Sequence, residues 1–441
     1  MKRLFDNVLK EWRQQPRRKP LIVRGARQVG KTYSINAFGK SAFDDLVVFD
    51  FEANRRLQRV FADNLDARDL VTQLEAEAES KIVPGQTLVF FDEIQACPRA
   101  LTALRYFYEQ LPELHVVAAG SLLEFALEEI SFPVGRVEFA WMRPLCFAEF
   151  LMALGADILL QHLPDLDTRL PLPTGVHEKL LDYLRRYFVV GGMPEAVATF
   201  AESRSVADVA SVHRNLSTAY LQDFANYSSR VDRDCLERVF EALPAQMGRQ
   251  TKYTALYPEK RIETIKECLR VLERASIFQR IRSTTAHGLP LGASTAPRVF
   301  KCLFLDIGLV QHLCGLTAAD ILAERNLLRT WRGALAEQFV GQELLALRGG
   351  AEGDRLYYWS RAARGSAAEV DYVFVDDENK IVPVEVKSGP AGRLKSMHLF
   401  MLERPECELG LVFSAANVSV VDEQKLVFLP LYTQFRRSRI S

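Results

Sequence analysis

Apolar and polar positions along the first part of the chain alternate between two periods. Residues 4 to 12 read as a short amphipathic helix, and a basic, proline-containing link from Arg13 to Pro20 leads to an apolar strand at Leu21 to Val23. Strand-sized apolar runs return at Leu46 to Phe51, Thr87 to Phe91 and Val116 to Ala119, each separated from the next by a helical stretch. That alternation predicts an α/β fold with a parallel sheet.

From about Glu149 the pattern turns mostly helical, broken by the proline-rich loop Leu170 to Gly175 and the turn GGMPEA at Gly191 to Ala196, as a helical lid or bridge would be. Residues 235 to 306 read as helix, short link, helix (Arg261 to Ala275) and two strands, Ile277 to Arg282 and Arg298 to Leu305. This is the order of a winged helix-turn-helix. A helix around Gly333 to Leu347 then precedes strands at Leu356 to Trp359, Glu369 to Val375 and Ile381 to Lys387, with a further helix and the strand Leu409 to Phe413. The expected divisions are 1–150, 151–232, 233–320 and 325–441.

Length agrees with several domains, since 441 residues exceed one hydrophobic core. Lys plus Arg and Asp plus Glu both total 56, so the chain as a whole has no electrostatic pull toward polyanions or membranes, and any nucleic-acid surface must be local. The seven cysteines stand singly, without a CxxC pair or histidines at metal-ligand spacing, and read as reduced thiols. The N-terminus lacks the apolar core of a signal peptide and no run reaches membrane-spanning length, so a cytoplasmic protein with no membrane partner is expected.

The first chemistry lies directly after the strand Leu21 to Val23. Gly25, Ala26, Arg27, Gln28, Val29, Gly30, Lys31 and Thr32 spell GARQVGKT, a match to GxxxxGK(S/T) between a strand and a helix. Such a loop turns its N–H groups and the helix N-terminus toward phosphates, so ATP is the expected ligand and Mg2+ the expected ion. Lys31 would reach the β and γ phosphates and Thr32 would hold the ion. The run LVFFDE then puts Asp92 where it would orient the ion and Glu93 where it would polarise the attacking water.

At the end of VVAA, Ser121 is either a γ-phosphate sensor or the N-cap of LLEFAL, and the two roles can coexist. Arg27, inside the loop, and Arg136, in FPVGRVEF, are the arginines best placed to meet phosphate charge, although most arginines are surface residues and the spacing alone brings neither to nucleotide. Sites of this kind often borrow an arginine from a neighbouring subunit, which makes a homo-oligomer an expectation.

The run GARQVGKT, FFDEIQ, Gly120–Ser121, PVGR followed by RPLCFAEFL, GGMPEA, LFLDIGL, EVDYVF and VPVEVKSG resembles prokaryotic AAA-type P-loop ATPases with a C-terminal domain of unknown function. The resemblance spans nearly the whole chain. It implies a multidomain fold with an AAA-like ATPase core, a helical and winged-helix middle, and a restriction-endonuclease-like α/β domain at the C-terminus.

Residue spacing within VPVEVKSG bears on that last domain independently. Glu385 and Lys387 are two apart on a strand and share a face, Asp371 is on the strand before, and Glu337 is on the opening helix. The order is that of an Asp…(Glu/Asp)xLys nuclease. Asp371, Glu385 and Glu337 would hold Mg2+, and Lys387 would stabilise the phosphate or position water. A nuclease fold kept for binding alone, or a solvated strand face, also fits this spacing.

Lys252, Lys260, Arg261, Lys266, Arg270 and Arg274 could track DNA phosphates from the winged-helix segment, although interleaved glutamates also fit a solvated helix face. Three functions are compatible with these residues. One is an ATPase whose nucleotide cycle controls a DNA-directed, nuclease-like domain. Another is an ATP-dependent switch or scaffold with an inert nuclease-like domain and a protein partner that the sequence does not name. The third is a DNA-binding regulator acting through the winged helix.

Overall fold

In the computed structural model, which describes residues 1–121, 123, 135–227, 231–316, 333–347, 356–361, 368–387 and 394–435, the apolar runs of the first part pair side by side. Strands β1 (Leu21–Arg24), β2 (Asp45–Asp50), β3 (Thr87–Asp92), β4 (His115–Ala119) and β5 (Glu138–Trp141) form one sheet in the order β2-β3-β4-β1-β5. Every neighbouring pair is parallel. Strands β3 and β4 are buried along their whole length, which is why they read as unbroken apolar runs rather than alternating ones. The short, half-buried β5 has no such run, and the hydrophobic pattern passes over it.

Among the described residues four α-helices accompany these strands: α1 (Phe5–Gln14), α2 (Lys31–Ala42), α3 (Ala67–Ala78) and α4 (Pro98–Gln110). Their starts follow local chemistry. The Asp66 carboxylate accepts from the Arg68 and Asp69 amides at the head of α3, and Pro98 opens α4 where its missing N–H costs nothing. Leu101, Leu104 and Phe107 of α4 pack with Ile22, Val89, Phe91 and Ala118 of the sheet. The Phe91 ring meets those of Phe49, Phe51, Phe61 and Phe107 at 5.7 to 5.9 Å, so the residue just before Asp92 is locked from four directions.

The chain divides into two compact units, the first built on residues 1–143 and the second on most of the remaining residues. The second contains a mixed nine-stranded sheet made of β6 (Gln250–Thr251), β7 (Phe278–Thr284), β8 (Thr295–Phe304), β9 (Tyr357–Ser360), β10 (Glu369–Val375), β11 (Ile381–Val386), β12 (Gly410–Ser414), β13 (Ser419–Val421) and β14 (Leu426–Pro430). Its order is β13-β14-β12-β11-β10-β9-β7-β8-β6. The helices Arg233–Ala242 and Ile262–Arg274 precede the β7–β8 hairpin in the order expected from the sequence. That hairpin pairs in parallel with β9, Arg282 facing Tyr357 and Thr284 facing Trp359, so one sheet takes strands from both of the domains expected from the sequence.

Buried polar groups tie the helical part of this unit together. Asp306 accepts from the amides of Gly192 (2.6 Å), Gly308 (2.9 Å) and Leu309 (3.1 Å), which joins the GGMPEA turn to the helix Ile307–Leu313. Gly191 has a φ of 71°, and a Cβ there would stand 2.1 Å from the Asp306 carboxylate, so glycine is required. The Glu343 carboxyl accepts from the Phe147 amide at 2.9 Å, capping the helix Phe147–Ala153. Burial pushes its pKa up to about 8. Among the described residues no helix is long and apolar enough to cross a membrane.

The Glu343 shift has a definite sign. Its folded-state pKa of about 8 lies above the unfolded value, so between about pH 4 and that point the unfolded chain releases a proton that the folded chain keeps, and stability falls as pH rises. Glu343→Gln keeps an acceptor for the Phe147 amide and carries no charge. In thermal melts between about pH 5 and about pH 9 the variant is expected to lose less stability with rising pH than the wild type. Parallel curves would show that Glu343 does not carry the pH dependence.

Candidate functional site

Strand β1 delivers the chain to Gly25, whose φ of 142° and position leave no room for a side chain: a Cβ would stand 2.1 Å from the Met142 carbonyl oxygen. The Met142 amide donates to the Arg24 carbonyl at 2.8 Å, so the end of β5 walls one side of the loop. Gln28 (φ 64°) and Gly30 (φ 94°) bend the chain back, and α2 starts at Lys31. Arg3 holds the loop from behind, donating to the Val29 carbonyl at 2.9 Å and the Arg143 carbonyl at 2.6 Å. Sequence reasoning missed Arg3, because its partners lie far along the chain.

Lys31 points back into its own loop, where Nζ donates to the carbonyls of Gly25 (2.9 Å) and Ala26 (2.8 Å). Burial lowers its pKa to about 8, against the opposing pull of Glu93 and Asp92. Thr32 Oγ1 donates to Asp92 Oδ2 at 2.7 Å, which joins the phosphate loop to β3. The Asp92 pKa is raised by burial, and the Thr32 hydrogen bond opposes the rise. Beside it, Glu93 (φ 47°) accepts from Gln95 Nε2 at 2.5 Å.

Ser121 follows β4, the strand lying between β1 and β3, and its buried hydroxyl has no hydrogen-bond partner among the described residues. A hydroxyl and a carboxylate side by side are hard oxygen donors of the kind Mg2+ takes, and the orphaned Ser121 Oγ has a hydrogen bond to give, so the residues present fit a magnesium nucleotide. The N-cap role for Ser121 depends on LLEFAL, of which all but Leu123 lies outside the described residues.

Arg27 lies within the loop. Arg136 does not approach it. Its guanidinium pairs with Glu109 near the end of α4 at 2.8 Å, just before β5 begins, and this is the edge where the parallel strands start rather than the edge where they deliver their ligand-facing ends.

The C-terminal residues converge around a group that the spacing of motifs does not reveal. Lys301, on β8 and fully buried, places Nζ 2.8 Å from Glu337, 2.6 Å from Glu369 and 3.1 Å from Asp371. Asp371 also accepts from the Val386 amide at 2.8 Å, and Glu385 pairs with Lys387. The second oxygen of Glu385 is buried without a partner among the described residues.

Burial alone would lower the Lys301 pKa, but Glu337, Asp371 and Glu369 carry it well above the ordinary value. Burial and the neighbouring Asp371 raise those of Glu337 and Glu385, opposed chiefly by Lys301 at Glu337 and by Lys387 at Glu385. Glu337, Glu369 and Asp371 therefore meet about the Lys301 ammonium group while Glu385 pairs with Lys387, and among the described residues no three His, Cys, Asp or Glu side chains stand ready to hold a metal ion. A lone lysine inside the apolar strand VFKCLF was the available signal, since a buried charge must find a partner.

In the helix Ile262–Arg274 and its approach, Lys260 pairs with Asp232 at 2.6 Å and Lys266 lies 5.3 Å from the Tyr253 ring centroid. Part of the basic run is thus engaged within the unit.

With this geometry in view, comparison with known proteins assigns the first unit. Residues 17–151 match the family model of the AAA domain, residues 181–320 a domain of unknown function (DUF8612), and residues 332–432 another (DUF4143). No curated protein matches the chain. Similar solved structures include the Walker-type ATPase of Pyrococcus abyssi, with a TM-score of 0.45 and 15% identity, covering 70% of this chain and 94% of that one. They also include the Aeropyrum pernix ORC1 protein in complex with DNA, with a TM-score of 0.31 and 12% identity, covering 70% and 90% of the two chains. PCH-2 of C. elegans gives a TM-score of 0.26 and 15% identity over 45% and 58%. Likenesses this distant leave the assignment to the domain match and the loop geometry: the chain carries an AAA-type P-loop ATPase domain.

Proposed function

We propose that this protein hydrolyses ATP with Mg2+ where β1, β4 and β3 end, and that the nucleotide cycle switches the state of the second unit. The observation that carries the first half is the 2.7 Å hydrogen bond from Thr32 to Asp92, made beside a lysine that has only loop carbonyls to hold. On ATP binding Lys31 leaves Gly25 and Ala26 for the β and γ phosphates, which the N–H groups of residues 25–32 surround. Thr32 and Asp92 hold Mg2+, which when bound draws charge from the phosphate oxygens. Ser121 donates its hydroxyl proton to the γ-phosphate, and Glu93 takes the proton of the attacking water.

Replacement of Lys31 by alanine is expected to weaken ATP binding at least about tenfold, and Glu93→Gln to bind ATP normally while turnover falls about a hundredfold or more. Binding and steady-state turnover measured side by side would sink the assignment if Glu93→Gln turned over at the wild-type rate.

For the second unit the helix, strand and strand order of Glu337, Asp371, Glu385 and Lys387 supports a restriction-endonuclease-like domain directed at DNA, with the winged-helix-like segment as a further DNA contact. A specific observation favours the inert form of that domain. Lys301 stands where three carboxylates converge, and an ammonium there supplies the charge that a divalent ion would otherwise bring. The reading is therefore a DNA-linked switch rather than a cutter. A homo-oligomer that lends an arginine to the nucleotide site is part of it, and its location is proposed to be cytoplasmic.

Wild-type protein incubated with duplex DNA and Mg2+ or Mn2+ is expected to leave the DNA intact, while duplex DNA changes the rate of ATP turnover. Metal-dependent nicking that disappears in Asp371→Ala and Glu385→Ala would restore the nuclease. Turnover indifferent to DNA would redirect the search to a protein partner. Independently, Lys301→Met removes the only cation bonded to Glu337, Glu369 and Asp371 among the described residues, and is expected to cost about 3 to 5 kcal/mol of stability near neutral pH in denaturant titrations.

A further inference from the structure

The candidate base of the ATPase reading has a neighbour whose placement is otherwise unexplained. Glu93 leaves β3 in the left-handed region, at a φ of 47° that a residue with a Cβ occupies only at some cost. Its side chain has three torsions to explore from there. Gln95 restricts them, because its Nε2 donates to Glu93 Oε2 at 2.5 Å.

Gln95 is in turn seated by the next strand. Its Oε1 is buried without a partner among the described residues, and a Cβ built on Gly120 would stand 2.0 Å from that oxygen and 3.2 Å from Cδ. The register sets Phe91 beside Ala118, so Glu93 and Gly120 emerge from neighbouring strands at the same level. The position before Ser121 is therefore a glycine for a reason outside its own backbone: it makes room for the Gln95 amide. A buried acceptor left unsatisfied is uncommon, and such groups persist where a function uses their surroundings.

We propose that Gln95, seated over Gly120, is a positioning residue for ATP hydrolysis that holds Glu93 through Oε2 and leaves Glu93 Oε1 to accept the proton of the attacking water. In that step the water oxygen forms a bond to the γ-phosphorus and its proton passes to Glu93. The bond from the γ-phosphorus to the bridging oxygen breaks, and its electron pair leaves on ADP. Gln95 touches neither nucleotide nor water and acts through Glu93 alone. The inference rests on the ATPase reading and deepens it.

The full-length chain is tested as wild type, Glu93→Gln, Gln95→Ala, Gly120→Ala and the Gln95→Ala/Gly120→Ala double variant, each for steady-state turnover and for binding of a fluorescent ATP analogue. Gln95→Ala is expected to lower kcat about tenfold with analogue affinity unchanged, since one hydrogen bond to a charged group is lost. Gly120→Ala pushes the amide off its seat and should give a similar loss. Because both act on one contact, the double variant should be no slower than Gln95→Ala alone.

Wild-type kcat in Gln95→Ala overturns the proposal, and so does a double variant whose loss is the product of the two single losses. Both results leave the ATPase reading standing if Glu93→Gln is inactive. A wild-type chain without magnesium-dependent turnover overturns the ATPase reading, and this inference with it.

Discussion

The placement of β4 between β1 and β3 is the constraint on which the first unit depends. Parallel strands all deliver their C-terminal ends to the same edge, so inserting β4 there brings three separate stretches of sequence into one row: the phosphate loop after β1, Asp92 and Glu93 after β3, and Gly120 and Ser121 after β4. Helix burial on the sheet fixes that row. The aromatic cluster around Phe91 leaves the strand no freedom to tilt, and Thr32 and Asp92 then meet although 60 positions separate them. An edge of this kind is rigid by virtue of its core, not of its own hydrogen bonds.

The second unit solves a different problem. Four carboxylates, Glu337, Glu369, Asp371 and Glu385, gather with two ammonium groups, Lys301 and Lys387, at a place where water is largely excluded. Removing such charges from water costs several kcal/mol per ion unless geometry and additional donors compensate. Here the Val386 amide on Asp371 and the Gln250 amide on Glu369 supply part of that compensation. The rise in the pKa values of Glu337 and Glu385 is the remaining adjustment, since protonation relieves what the two lysines do not neutralise.

These physical differences decide how much of the fold and the site is legible in the sequence. Strands β1, β3 and β4 are readable because burial on both faces leaves an unbroken apolar run, and Glu385 with Lys387 because period-two alternation puts them on one face. The strand β5 is not, being four residues long and only half-buried. Lys301, Arg3 and Gln95 are hidden for another reason. Their roles depend on which distant or turned side chain they meet, and no period along the chain encodes that. Arg136 shows the converse: the segment FPVGRVEF makes it a candidate to meet phosphate, while the strand direction sends it to the opposite edge.

The pairing of β7 with β9 reaches beyond the fold itself. The two domain matches end and begin at residues 320 and 332, yet a hydrogen-bonded ladder crosses that border. Cutting there would leave β7 in one fragment and β9 in the other, each with a newly bare row of amide and carbonyl groups that invites association with any available strand. The two stretches therefore fold as one sheet, and a border drawn by sequence similarity is here no guide to where the polypeptide can be divided.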